Sequence, residues 1–267
     1  MLCLAGALLA HLAADRLFLE RKCLRASMRK GIKSVLLLAL APLLLHAQGF
    51  WVKKSHEQWS AKECAKLLRD SPWAKSRTIS AVLITPIGQP SATPGRESNP
   101  ELTYAVQLLS ALPVRQAMIR QTRLSADFAK LSADARQTLE ARQAKLLAEE
   151  FKNHIVVRVE YSTNVPSYAQ DMARYWQTRP LPMWQQDTFL VTSSGRISLV
   201  DVWVAGGAGG LFELTFPRMV NGQPVVRDTD KSFSLEFQSP AFGPIQGERV
   251  LLEFKLKDMA LDGRLIF

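Results

Sequence analysis

Residues 211–238 have the sequence LFELTFPRMVNGQPVVRDTDKSFSLEFQ, in which two alternating apolar and polar runs flank the turn dipeptide Asn221-Gly222. Alternation with a period of two predicts β-strands that bury one face, and Asn-Gly favours a tight hairpin turn. Similar runs with turn signals between them occur on both sides, at 187–193, 197–204 and 248–256. This spacing predicts an antiparallel sandwich or barrel in the C-terminal part of the chain.

Earlier in the chain, three more runs predict strands that join these C-terminal strands: 76–85, 101–110 and 153–161. Helices are inserted between them at 113–149 and 166–178, and the prolines of 179–186 predict an extended segment. The first insertion repeats apolar residues at helical spacing, namely Leu124, Phe128, Leu131, Ala135, Leu139 and Leu146. It predicts an amphipathic helix of about 25 residues, which either lies on the domain or forms a partner-binding arm. The expected fold class is α+β, mainly an antiparallel β-sandwich with inserted amphipathic helices.

Residues 28–49 contain the three parts of a bacterial secretory signal: a basic start, an apolar run at 35–45 and small residues near the exit. The apolar run is shorter than the roughly 20 residues that a membrane-spanning helix needs. We therefore expect cleavage after Ala47 or Gly49 and export to the periplasm or the extracellular space. No permanent membrane span is expected after cleavage.

The rest of the chain divides into three ranges on either side of this signal. Residues 1–27 are interpreted either as a start codon assigned too early, with Met28 as the true initiator, or as an N-terminal extension. Residues 50–75 predict a helical module, in which Ser60 and Glu63 have the spacing of a capping box at a helix start. Residues 76–267 then form a single β-rich domain that carries the two helical insertions.

Composition excludes several classes of function. The chain has 34 basic and 24 acidic residues, and the segment before the expected cleavage removes seven basic and two acidic ones. The remaining positive excess is small and dispersed, whereas nucleic-acid binding needs a concentrated basic face, so no nucleic-acid partner is expected. Of the three cysteines only Cys64 follows the signal, so no internal disulfide is expected. We interpret Cys64 as a buried structural thiol, and a nucleophile is the alternative.

The candidate binding surface is a group of aromatic residues in the second insertion and after it. Tyr168, Tyr175, Trp176 and Trp184 crowd one short span, and such rings stack on sugars and on proline-rich peptides. Packing in the core is the alternative role for them. Candidate catalytic histidines are limited to His56 and His154, and no G-x-S-x-G motif is present. The sequence therefore predicts no catalytic residues, no metal site and no cofactor.

Several segments are similar to a group of uncharacterised exported bacterial proteins in which an EQW…LLxDSPWAK opening follows a signal peptide. The segments are Glu57-Gln58-Trp59-Ser60, 67–75 (LLRDSPWAK), 110–117 (SALPVRQA), Phe216-Pro217-Arg218 and 254–259 (FKLKDM). The resemblance implies export and a single architectural unit, and it carries no activity, substrate or catalytic residue.

The sequence leaves two functions open. The first is a non-enzymatic exported protein that binds or scaffolds an envelope protein or a glycan. The second is an envelope hydrolase whose site is assembled from residues far apart in the chain. Convergence of His154 with an acid and a nucleophile in one pocket would favour the hydrolase, and an open aromatic groove without such a cluster would favour the binding protein.

Overall fold

The computed structural model describes residues 49–81, 99–206, 210–261 and 264–267. The expected signal peptide lies outside the described residues except for Gly49, and so does the segment 1–27. The chain divides into two units, residues 1–53 and residues 54–267. A four-residue helix, α1 (Phe50–Lys53), belongs to the first unit. The other described helices and strands belong to the second unit.

The strands of the second unit pair only with antiparallel neighbours among the described residues. In chain order they are β1 (Ala74–Ser80), β2 (Glu101–Leu108), β3 (His154–Thr163), β4 (Phe189–Thr192), β5 (Gly195–Ser198), β6 (Asp201–Val204), β7 (Leu211–Pro217), β8 (Met219–Val220), β9 (Gln223–Pro224), β10 (Ser232–Gln238), β11 (Arg249–Lys255), β12 (Ala260–Leu261) and β13 (Arg264–Leu265). The first sheet has the order β1-β2-β3-β7-β6, and the second has the order β11-β10-β4-β5. The early strands therefore join the C-terminal ones, as predicted. The end of the predicted strand 76–85, from residue 82 on, lies outside the described residues.

The two sheets face each other across an apolar and aromatic core. Tyr104 of the first sheet lies edge to face against Phe237 of the second, with ring centroids 5.0 Å apart. Its hydroxyl is 2.9 Å from Ser239 Oγ, which gives this buried polar group a partner. Phe212 of β7 approaches Phe237 from the same side at 6.2 Å. The expected α+β fold with an antiparallel β-sandwich is confirmed.

The Asn221-Gly222 turn is present, but it joins different strands from those that its flanking runs suggest. Both residues have positive φ, 52° and 74°, which the tight turn requires. The turn closes the short hairpin β8-β9, whereas the longer runs on either side become β7 and β10. Those two strands belong to different sheets, because the residues around the hairpin carry the chain from one layer of the sandwich to the other.

The first predicted insertion contains α3 (Leu112–Arg123), α4 (Ala126–Ala129) and α5 (Ala133–Ala148), and the second contains α6 (Pro166–Thr178). Helix α2 (Ala61–Arg69) lies in the predicted helical module, and α7 (Leu181–Asp187) follows the second insertion. The prediction of one continuous amphipathic helix within 113–149 is wrong, because the chain breaks twice there. Ser125 Oγ accepts a hydrogen bond from Phe128 N, and Ser132 Oγ accepts one from Ala135 N. Each copy of the repeated Leu-Ser-Ala-Asp sequence therefore starts a new helix.

The prediction of an extended segment at 179–186 is also wrong, because helix α7 occupies most of that range. Pro180 is the N-cap of this helix and Pro182 lies in its first turn. A proline is tolerated there because the backbone N–H that it lacks has no partner within the helix. The prolines therefore mark the start of a helix, and α7 places Trp184 against the core.

Candidate functional site

A row of side chains crosses the outer face of the first sheet, and the strand register fixes their order. Gln107 of β2 pairs with Arg158 of β3, Arg158 pairs with Glu213 of β7, and Glu213 pairs with Trp203 of β6. Paired residues on neighbouring strands lie on the same face of a sheet. Because both sequence neighbours of Glu213 are buried in the core, the row faces away from it.

Arg158 lies between two carboxylates in this row. Its Nε is 3.3 Å from Glu160 Oε1, and its Nη1 is 3.7 Å from Glu213 Oε1. Burial raises the pKa of Glu213 above its ordinary value, and the nearby Arg158 opposes that shift. The side chains of Arg158 and Glu213 are 23% and 25% exposed. A ligand can therefore reach them, while partial shielding from water strengthens their electrostatic interactions.

A cavity of about 730 Å³ opens on the same face. Its lining combines hydroxyl, guanidinium and carboxylate groups, from Arg69, Ser76, Thr103, Arg158, Glu160 and Ser162. Trp203 stands two strand spacings from Arg158, about 10 Å away, and 53% of its surface is exposed. We name the surface from Ser76 across Arg158 and Glu213 to Trp203 the outer-face groove.

Helices α2 and α3 close one end of this groove. Gln107 Nε2 donates a hydrogen bond of 3.2 Å to the backbone oxygen of Leu68 at the end of α2, and this contact holds the helix on the sheet. A smaller cavity of about 170 Å³ lies between the helices and the sheet, and Arg69, Arg158 and Glu160 line it as well. The charged part of the groove is therefore bounded by helices on one side and is open on the other.

The predicted aromatic site lies elsewhere, at the edge of the core. Trp176 and Trp184 have no exposed surface, and their rings stack at 4.8 Å with an angle of 25° between the planes. Both rings also contact Phe212, at 4.8 and 4.9 Å. Stacking on a ligand would require the core to open, so their burial favours the core-packing alternative for these two residues.

The two tyrosines of the predicted site are half-buried. Tyr175 lies edge to face against Trp176 at 4.8 Å, and its hydroxyl accepts a hydrogen bond of 2.8 Å from Arg179 Nη1. The hydroxyl of Tyr168 packs so closely on Gly243 that a side chain at that position would collide with it. A ligand-binding role for Tyr168 and Tyr175 stays a prediction. The structure thus brings the four predicted residues to one region and gives them different degrees of exposure.

Sequence reasoning did not single out Trp203. Its signal is the alternation in β6, where Val202 and Val204 take the opposite face. That alternation places Trp203 on one face of the sheet, but it does not say whether another element covers that face. The exposure of the ring and its alignment with Arg158 and Glu213 come only from the paired strands.

Cys64 and the two candidate histidines, His56 and His154, lie on different elements of the fold. Cys64 is buried in α2, and burial raises the pKa of its thiol, with a smaller opposing effect from Arg120. His56 lies edge to face against Trp59 at 6.2 Å, and His154 is exposed at the start of β3. Within the described ranges, no group of three or more His, Cys, Asp or Glu residues is placed to hold a metal ion.

Comparison with known proteins adds no assignment. No protein-family model, no curated protein and no solved structure matches the chain. Among the helices that the structure describes, none is both long enough and apolar enough to cross a bilayer.

Proposed function

We propose that this chain is an exported, non-enzymatic binding protein of the cell envelope, and that its ligand is a glycan held in the outer-face groove. The observation that carries the proposal is the half-exposed Trp203 aligned with Arg158 and Glu213. The flat face of an indole packs on the apolar C–H face of a sugar ring. Carboxylate, guanidinium and hydroxyl groups in the same groove supply donors and acceptors for sugar hydroxyls.

The lining of the groove favours a glycan over an envelope protein. The centre of a protein interface is depleted in charged residues. Here the centre holds the cluster of Arg158, Glu160 and Glu213, with the hydroxyls of Ser76, Thr103 and Ser162 beside it. A protein ligand would instead require these charges to be buried against matching partners, which is unfavourable unless every group is paired.

Export is supported by the three-part signal at 28–49 and is tested by the mature N-terminus. We expect mass spectrometry of the periplasmic or secreted fraction to find a chain that starts at Gln48 or Phe50. An abundant exported form that retains residues 1–47 would contradict cleavage at the expected sites.

Binding is tested by co-sedimentation with insoluble envelope glycans and by titration with soluble fragments of them, monitored by tryptophan fluorescence. We expect saturable binding that Trp203→Ala weakens by about tenfold or more, which corresponds to about 1.4 kcal/mol. The matched control is Leu251→Ala on the second sheet, because Leu251 is similarly exposed at 58%. Absence of binding, or equal losses for the two variants, would refute the assignment of the groove.

A hydrolase is the second candidate, and the two carboxylates around Arg158 favour it. Glu160 and Glu213 occupy diagonal positions on neighbouring strands, about 7–8 Å apart, and both carboxylates approach Arg158. Glycosidases use two carboxyl groups, one of them with a raised pKa, and burial raises the pKa of Glu213. Release of reducing ends from a bound glycan, abolished by Glu213→Gln, would establish this activity in place of simple binding.

A further inference from the structure

Another cavity, of about 410 Å³, lies where the start of α3, the segment after α5 and the last described residues meet. Its lining includes Ser110, Arg115, Glu149, Phe151, Arg218 and Phe267. It shares no lining residue with the outer-face groove. Arg115 and Arg218 belong to two of the segments that resemble the exported bacterial group, so two separate parts of the chain converge here.

Arg115 is the most unusual group in this cavity, because only 4% of it is exposed. Its Nη1 donates to the backbone oxygens of Leu109 and Ser110, at 3.3 and 3.0 Å. The guanidinium lies over the ring of Phe151, 4.9 Å from the centroid. These contacts fix the plane of the guanidinium and occupy one of its terminal nitrogens.

The opposite edge of the same guanidinium has no partner among the described residues. Its Nε is buried without a hydrogen bond, and the Oγ of Ser110, a residue only 7% exposed, is buried without one as well. The edge formed by Nε and Nη2 is the planar fork that matches two oxygens of a carboxylate or a phosphate. An unpaired buried donor is unfavourable, and these two atoms belong to residues that line the same cavity. They therefore indicate a site for a group with acceptor oxygens.

The surrounding charges suit an anion. Arg218 contributes a second guanidinium, which donates through Nε to the backbone oxygens of Phe151 and His154, at 2.6 and 3.0 Å, and through Nη2 to Phe267 O. Glu150 also lines the cavity, but Lys152 pairs with it at 2.6 Å. Glu149 is the remaining carboxylate, and its charge acts on Arg115. The charged side chains that line the cavity are therefore two guanidiniums, the paired Glu150 and Lys152, and the single carboxylate of Glu149.

We propose that this cavity binds a small oxyanion, a carboxylate or phosphate group, through the Nε and Nη2 edge of Arg115 and the hydroxyl of Ser110. Arg218 fastens the walls of the site by its three backbone contacts and adds positive charge. The anion completes the hydrogen bonds that the fold leaves open, so occupancy also stabilises the junction between α3 and residues 264–267.

Isothermal titration of the full chain with sodium phosphate and, separately, with sodium acetate tests the site, with sodium chloride at matched ionic strength as the blank. We expect millimolar or tighter binding of at least one of them, and a rise of a few degrees in melting temperature at saturation. Binding of phosphate alone or of acetate alone supports the site and identifies its chemistry. Absence of heat and of thermal shift for both anions up to 50-fold above about 1 mM would overturn the proposal.

Three variants make the result specific. Arg115→Lys keeps the charge and loses the fork, so we expect affinity to fall by about tenfold or more. Ser110→Ala removes one small hydroxyl, is the milder change for folding, and is expected to weaken binding about three- to tenfold. Arg142→Gln, at an exposed position of α5, is the matched control and should bind as the parent does. Unchanged affinity in Ser110→Ala and in a folded Arg115→Lys would overturn the assignment. Trp203→Ala should leave anion binding unchanged, which separates this site from the glycan groove.

Discussion

Replacement of Trp176 by alanine tests whether the aromatic group belongs to the core. The indole has no exposed surface and lies within 4.8 Å, centroid to centroid, of three other rings, those of Tyr175, Trp184 and Phe212. It sits where helix α6 meets both sheets, because Phe212 belongs to the first sheet and Phe237, at 6.5 Å, belongs to the second. Its removal therefore leaves a cavity at the junction of three layers.

The magnitude follows from the buried area. A tryptophan side chain removes roughly 200 Å² from water, which at about 25 cal/mol per Å² amounts to about 5 kcal/mol. The buried Nε1 of Trp176 has no hydrogen-bond partner, and losing that unpaired donor returns about 1–3 kcal/mol. Loss of the ring contacts around the new cavity, in contrast, lowers the free energy of unfolding further. We expect a net loss of about 3–5 kcal/mol in the free energy of unfolding.

Urea unfolding monitored by far-UV circular dichroism measures this loss. Trp203→Ala serves as the matched control, because it deletes the same side chain from a half-exposed position, and we expect it to cost less than about 1 kcal/mol. A loss for Trp176→Ala no larger than that of the control would refute the core assignment. It would return Trp176 to the list of candidate ligand-binding residues.

Three further predictions concern local structure. Ser132→Ala removes the N-cap of α5 and should lower the free energy of unfolding by about 1 kcal/mol; an unchanged urea midpoint would contradict the helix break. Glu63 has a pKa lowered to about 2, chiefly by the hydrogen bond from Lys54 and then by that from Ser60. Its contribution to stability is therefore present above pH 4.5 and is lost as the pH falls towards 2. The melting temperature of Glu63→Gln should thus approach that of the parent in acid, and a difference that stays constant with pH would contradict this. Gly222→Ala places a side chain at φ 74° and should lower the free energy of unfolding by about 1–2 kcal/mol. Gly206→Ala, which lies in open space, should change it little, and equal effects of the two changes would contradict the turn geometry.

Local chemistry in the sequence determined much of the fold. Alternating apolar residues predicted β2, β3, β7, β10 and β11, because each strand buries one face and its period of two is visible in the sequence. The Ser60 and Glu63 pair predicted the start of α2, and the structure shows both hydrogen bonds of the capping box. Asn221-Gly222 predicted a turn that needs two positive φ angles. These local signals can be read from the sequence because each depends on atoms only a few residues apart.

The helical insertion shows where such local reasoning failed. The apolar spacing from Leu124 to Leu146 continues across both breaks, so it predicts one helix. The serine caps at Ser125 and Ser132 interrupt that helix, and the Leu-Ser-Ala-Asp repeat was the available sign of them. The apolar spacing favours one helix and the serine caps favour separate helices. The sequence does not show which of these two signals prevails, because packing against the rest of the fold also contributes to the outcome.

The candidate site was decided by tertiary structure alone. Trp176, Trp184 and Trp203 are equally apolar in the sequence, yet the first two are buried and the third is half-exposed. The difference arises because helices α6 and α7 pack on the core, whereas part of the outer face of β6 and β7 is left open. The row from Gln107 to Trp203 likewise exists only through the pairing of strands that are distant in the chain, such as β3 with β7, which pairs Arg158 with Glu213. The sequence alone determined which residues alternate within each strand. The register between strands and the covering of each face depend on long-range contacts, which no local pattern encodes.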